Sequence, residues 1–320
     1  MSIRSSFNHG KIPLVDLGQL GLEHKEEPRQ EELQRVARQL HEAFRDIGFV
    51  YLTNHGVPDH QLNRLYESSS SFFELDLEIK KCYKKDFDTY QGYVAVDNEK
   101  LDLNKDVHEL REAYDVKWID GVFPDKEVPS LRPAASDFVR TCLDLTTRLL
   151  TALALGFGLD RNFFTSTHQH ICNGQNLSIL RLLHYPPVPA DTPENSTRCS
   201  SHTDYGTMTL LFQDDKGGLQ QVRDRGGNWV DAEPIPSTIL VNVGDLLQFW
   251  TANEFIATAH RVLIPSEELR LRCARRSIAF FVHPDDPVTI KPFDSSDTCQ
   301  PVNAKEHVLE MFNKTYRLSR

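Results

Sequence analysis

The chain has 320 residues, 39% of them hydrophobic, with 46 acidic against 36 basic side chains and a formal net charge of −10. That length supports a large buried core in one domain or two. The acidic balance repels phosphate backbones, so no nucleic-acid partner is expected. No apolar run approaches the ~18 residues that a membrane span needs, so no membrane partner is expected either. Met1-Ser2-Ile3-Arg4-Ser5-Ser6 lacks the apolar centre of a signal peptide, which points to a cytoplasmic protein. The six cysteines, at 82, 142, 172, 199, 273 and 299, form no CxxC pair and read as reduced thiols. Cys199 lies three residues before His202 and reads either as a metal ligand or as a small apolar filler leading into a strand. Composition assigns no oligomeric state.

Residues 12–17 read as a short strand, and residues 31–44 as a helix with Leu33, Val36, Ala37, Leu40 and Phe44 at helical spacing. Residues 48–52 form a second strand. Asn54-His55-Gly56-Val57-Pro58 turns the chain, and Asp59 starts a helix that runs to about residue 73. Residues 75–85 are charged and wrap the core. Residues 86–133 show no clear period and read as mixed loop and short strand. A long helix covers 136–157, ended by Gly156 and Gly158.

From Asn176 the pattern becomes β. Residues 177–185 are strand-like and stop at Pro186-Pro187. Short runs follow at 207–213, 218–222, 238–243, 246–250, 258–264 and 276–282, separated by turn signals such as Asp224-Arg225-Gly226-Gly227-Asn228. Many short, evenly spaced strands predict a closed barrel or jelly roll. Residues 304–316 read as a helix. The expected class is α+β, with residues 1–175 a helical region that wraps the barrel and residues 176–320 the jelly-roll core with its C-terminal helix.

Two motifs carry chemistry. In His202-Thr203-Asp204, on a strand, the two outer side chains would face one pocket. With the distant His260 they make a 2-His-1-carboxylate set, which occupies one face of a metal and leaves the other open. In Arg275-Arg276-Ser277, Arg275 and Ser277 share a face and Arg276 points the opposite way. A guanidinium and a hydroxyl inside an apolar barrel call for an anion, and a carboxylate matches the planar fork of Arg. Each residue alone has an ordinary reading: a turn histidine, a core histidine, or one member of the charge run Arg270, Arg272, Arg275 and Arg276. Their joint order, HxD then His then RxS, is what singles them out.

In that order the chain resembles the iron(II)- and 2-oxoglutarate-dependent oxygenases of the isopenicillin N synthase-like family, over nearly its whole length. The matching segments include Gly48-Phe49 with Asn54-His55-Gly56-Val57, Leu110-Arg111-Glu112-Ala113-Tyr114-Asp115, and Tyr185-Pro186-Pro187. They continue with His202-Thr203-Asp204-Tyr205-Gly206, Gly218-Leu219-Gln220, Asn242-Val243-Gly244-Asp245 and His260-Arg261-Val262. The resemblance implies a double-stranded β-helix with His202, Asp204 and His260 on Fe(II), and Arg275, Ser277 and Tyr185 on 2-oxoglutarate. It also implies O2 as co-substrate, succinate and CO2 as products, and a small-molecule substrate that is hydroxylated, desaturated or cyclised. Where many relatives have Asn two residues before the tyrosine, this chain has Leu183, which puts one polar contact to 2-oxoglutarate in question.

Candidate substrate contacts are Phe281, which alternates with Ser277 and Ala279, and Tyr205, which follows Asp204 directly. Tyr93 and Arg111, with His108 and Tyr114, lie in the irregular stretch where loops cover a barrel mouth. For these, ordinary packing is the competing reading. Three alternatives stay open: an Fe(II) oxidase of the same fold that does not use 2-oxoglutarate, a non-catalytic small-molecule-binding relative, and a zinc hydrolase. The last has no evident general-base Glu beside the triad.

Overall fold

The computed structural model describes residues 11–101, 107–215, 220–223, 227–264, 271–293 and 300–316. Gly218, Leu219, the turn residues 224–226, Arg270 and Cys299 lie outside the described residues.

The chain runs β1 (Leu14–Asp16), α1 (Gln30–Asp46), β2 (Phe49–Thr53), α2 (Asp59–Phe73), α3 (Leu77–Lys81), β3 (Gly92–Val94), β4 (His108–Glu109), β5 (Glu112–Val116) and α4 (Leu131–Gly156). It continues with β6 (Ile179–Tyr185), β7 (Ser196–Thr197), β8 (Cys199–His202), β9 (Met208–Gln213), β10 (Gln220–Arg223), β11 (Trp229–Asp231) and β12 (Ile239–Val243). Last come α5 (Asp245–Trp250), β13 (His260–Val262), β14 (Arg275–Val282), β15 (Thr289–Ile290), β16 (Val302–Asn303) and α6 (Ala304–Thr315).

The helices follow the apolar spacing. In α1 the buried stripe is Leu33, Val36, Ala37, Leu40, Ala43 and Phe44, and each such leucine or phenylalanine contributes ~1.5–3 kcal/mol when buried. Helix α4 starts at Leu131, five residues earlier than the periodicity indicates. Pro133 sits in its first turn, where a missing N–H has no partner to lose.

One expectation is corrected. Residues 246–250 are not a strand: α5 covers them and buries Leu246, Leu247 and Trp250, a helical spacing that a five-residue apolar run leaves ambiguous. The stretch 86–133, read as loop and short strand, contains β5, a strand buried at every position and paired on both sides, to β3 and β6. Its charges disguise it. Glu112 meets Lys80 at 2.9 Å and His184 at 2.8 Å, and Asp115 meets Lys85 at 2.7 Å and Arg181 at 2.6 Å.

Twelve of the strands form two facing sheets, the layout of a jelly roll, while β4 with β7 and β15 with β16 make two-stranded ribbons. The larger has the order β1-β2-β12-β9-β14-β6-β5-β3 and the smaller β11-β10-β13-β8. Four strands of the large sheet (β1, β2, β3 and β5) come from before residue 176 and four from after it. The N-terminal part therefore completes the sheet as well as wrapping it with helices. An apolar cluster separate from the main core lies between the sheets, formed by Val94, Ala113, Leu183, Tyr185, Cys199, Val262 and Ala279.

Candidate active site

His202 and His260 are direct cross-strand partners of the antiparallel pair β8–β13, just beside a register shift. That pairing, not sequence proximity, brings the two rings to 4.3 Å between centroids. Asp204 does not lie on β8, which ends at His202; it follows in the loop. The expectation that pleat alternation aligns His202 with Asp204 is thus replaced by a turn that folds the carboxylate back. Asp204 Oδ1 lies 3.7 Å from His202 Nε2 and 3.8 Å from His260 Nε2. The three ligand atoms all lie within 4.8 Å of one another.

The turn is held by close backbone approach. Asp245 N donates to Asp204 O at 2.7 Å and Gly244 N to Thr207 O at 3.0 Å. A Cβ at Gly206 would stand 2.4 Å from Val282 O, and one at Gly244 would stand 2.3 Å from Gly206 O. Only glycine lets these segments meet.

The donor set fits Fe(II). Each imidazole uses Nδ1 on a backbone carbonyl, His202 on Ser200 O at 2.9 Å and His260 on Thr258 O at 3.2 Å. A donating Nδ1–H leaves the Nε2 lone pair facing Asp204, the tautomer that a metal needs. Burial, reinforced by neighbouring His202, pushes the His260 pKa down to about 4, so no proton competes there near neutral pH. Burial alone would raise the Asp204 pKa; His260, His202 and hydrogen bonds from Asn242 and Thr209 hold it below the usual carboxylate range instead. Those two bonds, both 2.6 Å, end on Oδ2 and leave Oδ1 free to ligate. Asn242→Ala is expected to weaken metal binding by ~10–100-fold with the fold retained. Anaerobic Fe(II) titration against a chelator measures this, and unchanged affinity would remove Asn242 from the account.

Arg275 and Ser277 are each 1% exposed and lie on β14 opposite Tyr185 and Leu183 of β6. The Arg275 guanidinium stacks 4.8 Å from the Tyr185 ring centroid and donates to Ser277 Oγ at 3.3 Å and Gln213 Oε1 at 3.1 Å. None of these partners is a carboxylate, so among the described residues its bonded partners include no anion, and Ser277 and Tyr185 beside it line the cavity. Arg276 points away: it donates to Ser70 Oγ at 2.7 Å and covers Tyr66. Leu183 adds an apolar side chain to the cavity wall.

The cavity encloses about 920 Å³ of space, part of it open to solvent. Phe281, Tyr205 and Arg111 line it with the triad. Tyr93 does not; the residue next to it on β3, Val94, faces the cavity side, so Tyr93 points into the main core and donates to Glu112 at 2.5 Å. His108 sits away from the cavity on Asp97 at 2.9 Å, and Tyr114 is buried with its hydroxyl on Val122 O.

Several lining residues have no role assigned to them from the sequence: Glu99, Arg181, Thr209, His283 and, although it falls in a matching segment, Asn242. Arg181 donates bidentately to Asp115 and also to Glu99, and Arg111 meets Glu99 at 2.8 Å. Burial alone would raise the Glu99 pKa; Arg181, Arg111 and Lys85 hold it far below the usual carboxylate range. Tyr316, just past α6, accepts from Arg181 at 2.8 Å, tying the C-terminal segment to this charged wall. A charge amid the apolar run Leu177–Leu183 was the available signal for Arg181, and a buried amide amid Ile239–Val243 the signal for Asn242. Glu99, in an irregular stretch, has none. Cys199 Sγ lies 3.9 Å from His202 Nδ1, the ring atom turned away from the ligand cluster, and so reads as wall and not ligand.

Comparison with known proteins agrees with this geometry. The family model described as 2OG-Fe(II) oxygenase superfamily matches residues 176–284, and that described as non-haem dioxygenase in morphine synthesis N-terminal matches residues 12–132. A 2-oxoglutarate-Fe(II) type oxidoreductase, ppzD of Metarhizium rileyi, is 33% identical over 80% of this chain and 77% of its own. The proline hydroxylase buaE of Petromyces alliaceus is 34% identical over 79% and 82%. A full-length Neurospora crassa structure in complex with alpha-KG and thymine superposes with a TM-score of 0.80 at 28% identity, covering 95% of this chain and 97% of that one.

Proposed function

The chain belongs to the 2-oxoglutarate- and Fe(II)-dependent oxygenase superfamily, and on that premise we propose that His202, Asp204 and His260 hold the iron while Arg275, Ser277 and Tyr185 take the far carboxylate of 2-oxoglutarate. The protein is an oxidoreductase, a non-haem iron dioxygenase with O2 as co-substrate. Bound Fe(II) supplies oxidative decarboxylation of 2-oxoglutarate to succinate and CO2, coupled to oxidation of a second, small organic molecule.

The observation that carries the assignment is the convergence of two Nε2 atoms and one carboxylate oxygen, each with its other polar atom already bonded. Around that cluster the protein orients and excludes water. Asn242 and Thr209 fix the carboxylate, the β8–β13 pairing fixes the rings, and Arg275 with Ser277 offers donors to the far end of a dicarboxylate. Phe281 and Tyr205 wall the substrate space. Arg111, with Glu99 and Arg181, presents it with a polar face, which suits a substrate with hydrogen-bonding groups at one end and an oxidisable carbon at the other. The relatives named for proline and thymine favour the same small, polar class. Also proposed are the division at residue 175, with the whole candidate metal site in the C-terminal part, and a cytoplasmic site of action. Among the described residues no helix is long and apolar enough to cross a membrane.

The test is a screen of small polar metabolites for stimulated succinate release, followed by mass analysis of the product. A stimulating compound that gains one oxygen is hydroxylated; one that loses two hydrogens is desaturated or cyclised. Substrate loss without succinate would instead favour an oxidase that does not use 2-oxoglutarate. Neither succinate nor substrate loss in the iron-loaded protein would favour a non-catalytic binding relative.

A further inference from the structure

Glu99 and Arg111 both line the cavity and are each 6% exposed, with Glu99 Oε2 2.8 Å from Arg111 Nη2. Their neighbour Arg181 has spent its donors: Nε and Nη2 on Asp115, Nη2 also on Tyr316, and Nη1 on Glu99. Arg111 has not. Its Nη1 donates to Cys199 Sγ at 3.2 Å, while Nε and Nη2 are buried without a hydrogen-bond partner. Glu99 lies off the line of the Nη2–H bonds, and Glu109, 3.8 Å from Nε, is beyond hydrogen-bond reach. Nε and Nη2 make one edge of the guanidinium, the planar fork that carboxylates take. Glu99 also keeps capacity: of about four acceptor positions on a carboxylate, hydrogen bonds from Arg181 and Tyr316 take three. Around the pair, Arg111, Arg181 and Lys85 stand against Glu99, Glu109 and Asp115, so among the described residues this wall is charge-balanced. An entering cation or anion is attracted by one member of the pair and repelled by the other. A molecule with both signs on neighbouring groups gains from each.

We infer that Glu99 and Arg111 together bind the head group of a free α-amino acid, its ammonium on Glu99 and its carboxylate on the Arg111 fork. This rests on the reading of the cavity as the oxygenase active site proposed above, and it names the class of the second substrate. Cys199 ties the pair to the metal site: its Sγ takes an Arg111 N–H and stands 3.9 Å from His202 Nδ1. The head group so held lies on the His202 side of the cavity. The amino acid's own side chain then runs along Tyr205 and Phe281, which line the remaining space beside the triad. An amine without the carboxylate leaves the Arg111 fork unmet, and an acid without the ammonium meets Glu99 with a like charge.

The test uses the Fe(II)-loaded protein with 2-oxoglutarate. Free α-amino acids, proteinogenic and non-proteinogenic, are added one at a time, and succinate release above the background without addition is measured. Each amino acid that stimulates is compared with its decarboxylated amine and its deaminated acid. At least one amino acid is expected to stimulate, with a half-saturating concentration about tenfold or more below that of either analogue. Analogues that match the amino acid would overturn the inference. Arg111→Gln should remove the preference over the amine, and Glu99→Gln the preference over the acid, with the anaerobic 2-oxoglutarate charge-transfer band retained in both. Variants that weaken the amino acid and both analogues alike would show a merely structural pair and overturn the inference. The wild-type comparison decides if a variant does not fold. If the wild type forms the band and no amino acid stimulates, the head-group assignment fails while the active-site reading stands. If it forms no band, the active-site reading fails and the head-group assignment with it.

Discussion

Replacing Asp204 with alanine is expected to abolish iron retention and turnover together. The carboxylate is the one anionic donor between the two imidazoles, and both ring nitrogens lie within 3.8 Å of the same oxygen. Without it, two imidazoles remain and half of the supporting polar shell, Asn242 and Thr209, loses its acceptor. Removing an outer-shell partner costs ~10–100-fold in metal affinity, so losing the ligand itself costs more. His202→Ala should behave the same way, because it removes one of the two cross-strand rings. Metal content after anaerobic loading and gel filtration, with succinate release on the same sample, checks both variants. Full activity in either would refute the triad. Since the Asp204 side chain is buried and its loss leaves only small donors unpaired, circular dichroism should show the fold intact.

The second large effect is expected at the other end of the co-substrate. Arg275→Ala should raise the 2-oxoglutarate requirement roughly 30- to 150-fold while leaving iron affinity unchanged. The figure follows from ~2–3 kcal/mol for hydrogen bonds to a charged group, at 1.4 kcal/mol per tenfold. Arg275 is fully buried, stacked on Tyr185 and fixed by Ser277 and Gln213, so its fork is already oriented before any carboxylate arrives. That pre-organisation is why the loss should appear in the co-substrate requirement and not in the metal. Initial rates against 2-oxoglutarate concentration, with metal content measured in parallel, separate the two. An unchanged requirement would move the co-substrate to another part of the cavity.

How much of this was legible in the sequence depends on where the information lies. Helix α1 and strands β2, β6, β9 and β12 follow from apolar periodicity because each presents one simple pattern to the core. Strand β5 does not, because Glu112 and Asp115 are buried by pairing with Lys80, His184, Lys85 and Arg181, partners far away in sequence. Helix α5 does not, because its apolar run is shorter than two turns. The same contrast holds at the site. His202, Asp204 and His260 were legible as residue types in order, yet what brings them together, a cross-strand pair beside a register shift and a loop clamped by Gly206 and Gly244, is tertiary. The inward face of Tyr93 is not legible, because a three-residue strand between irregular segments does not reveal which face its middle residue takes.

The most direct measurement is anaerobic visible spectroscopy of the Fe(II)-loaded protein titrated with 2-oxoglutarate, comparing wild type with Asp204→Ala and Arg275→Ala. A saturable charge-transfer band is expected in the wild type, absent in the Asp204 variant and reached in the Arg275 variant only at much higher 2-oxoglutarate. A wild-type protein that binds iron and develops no band, or an Asp204 variant that develops the same band, would contradict the assignment of this cavity as the iron and 2-oxoglutarate site.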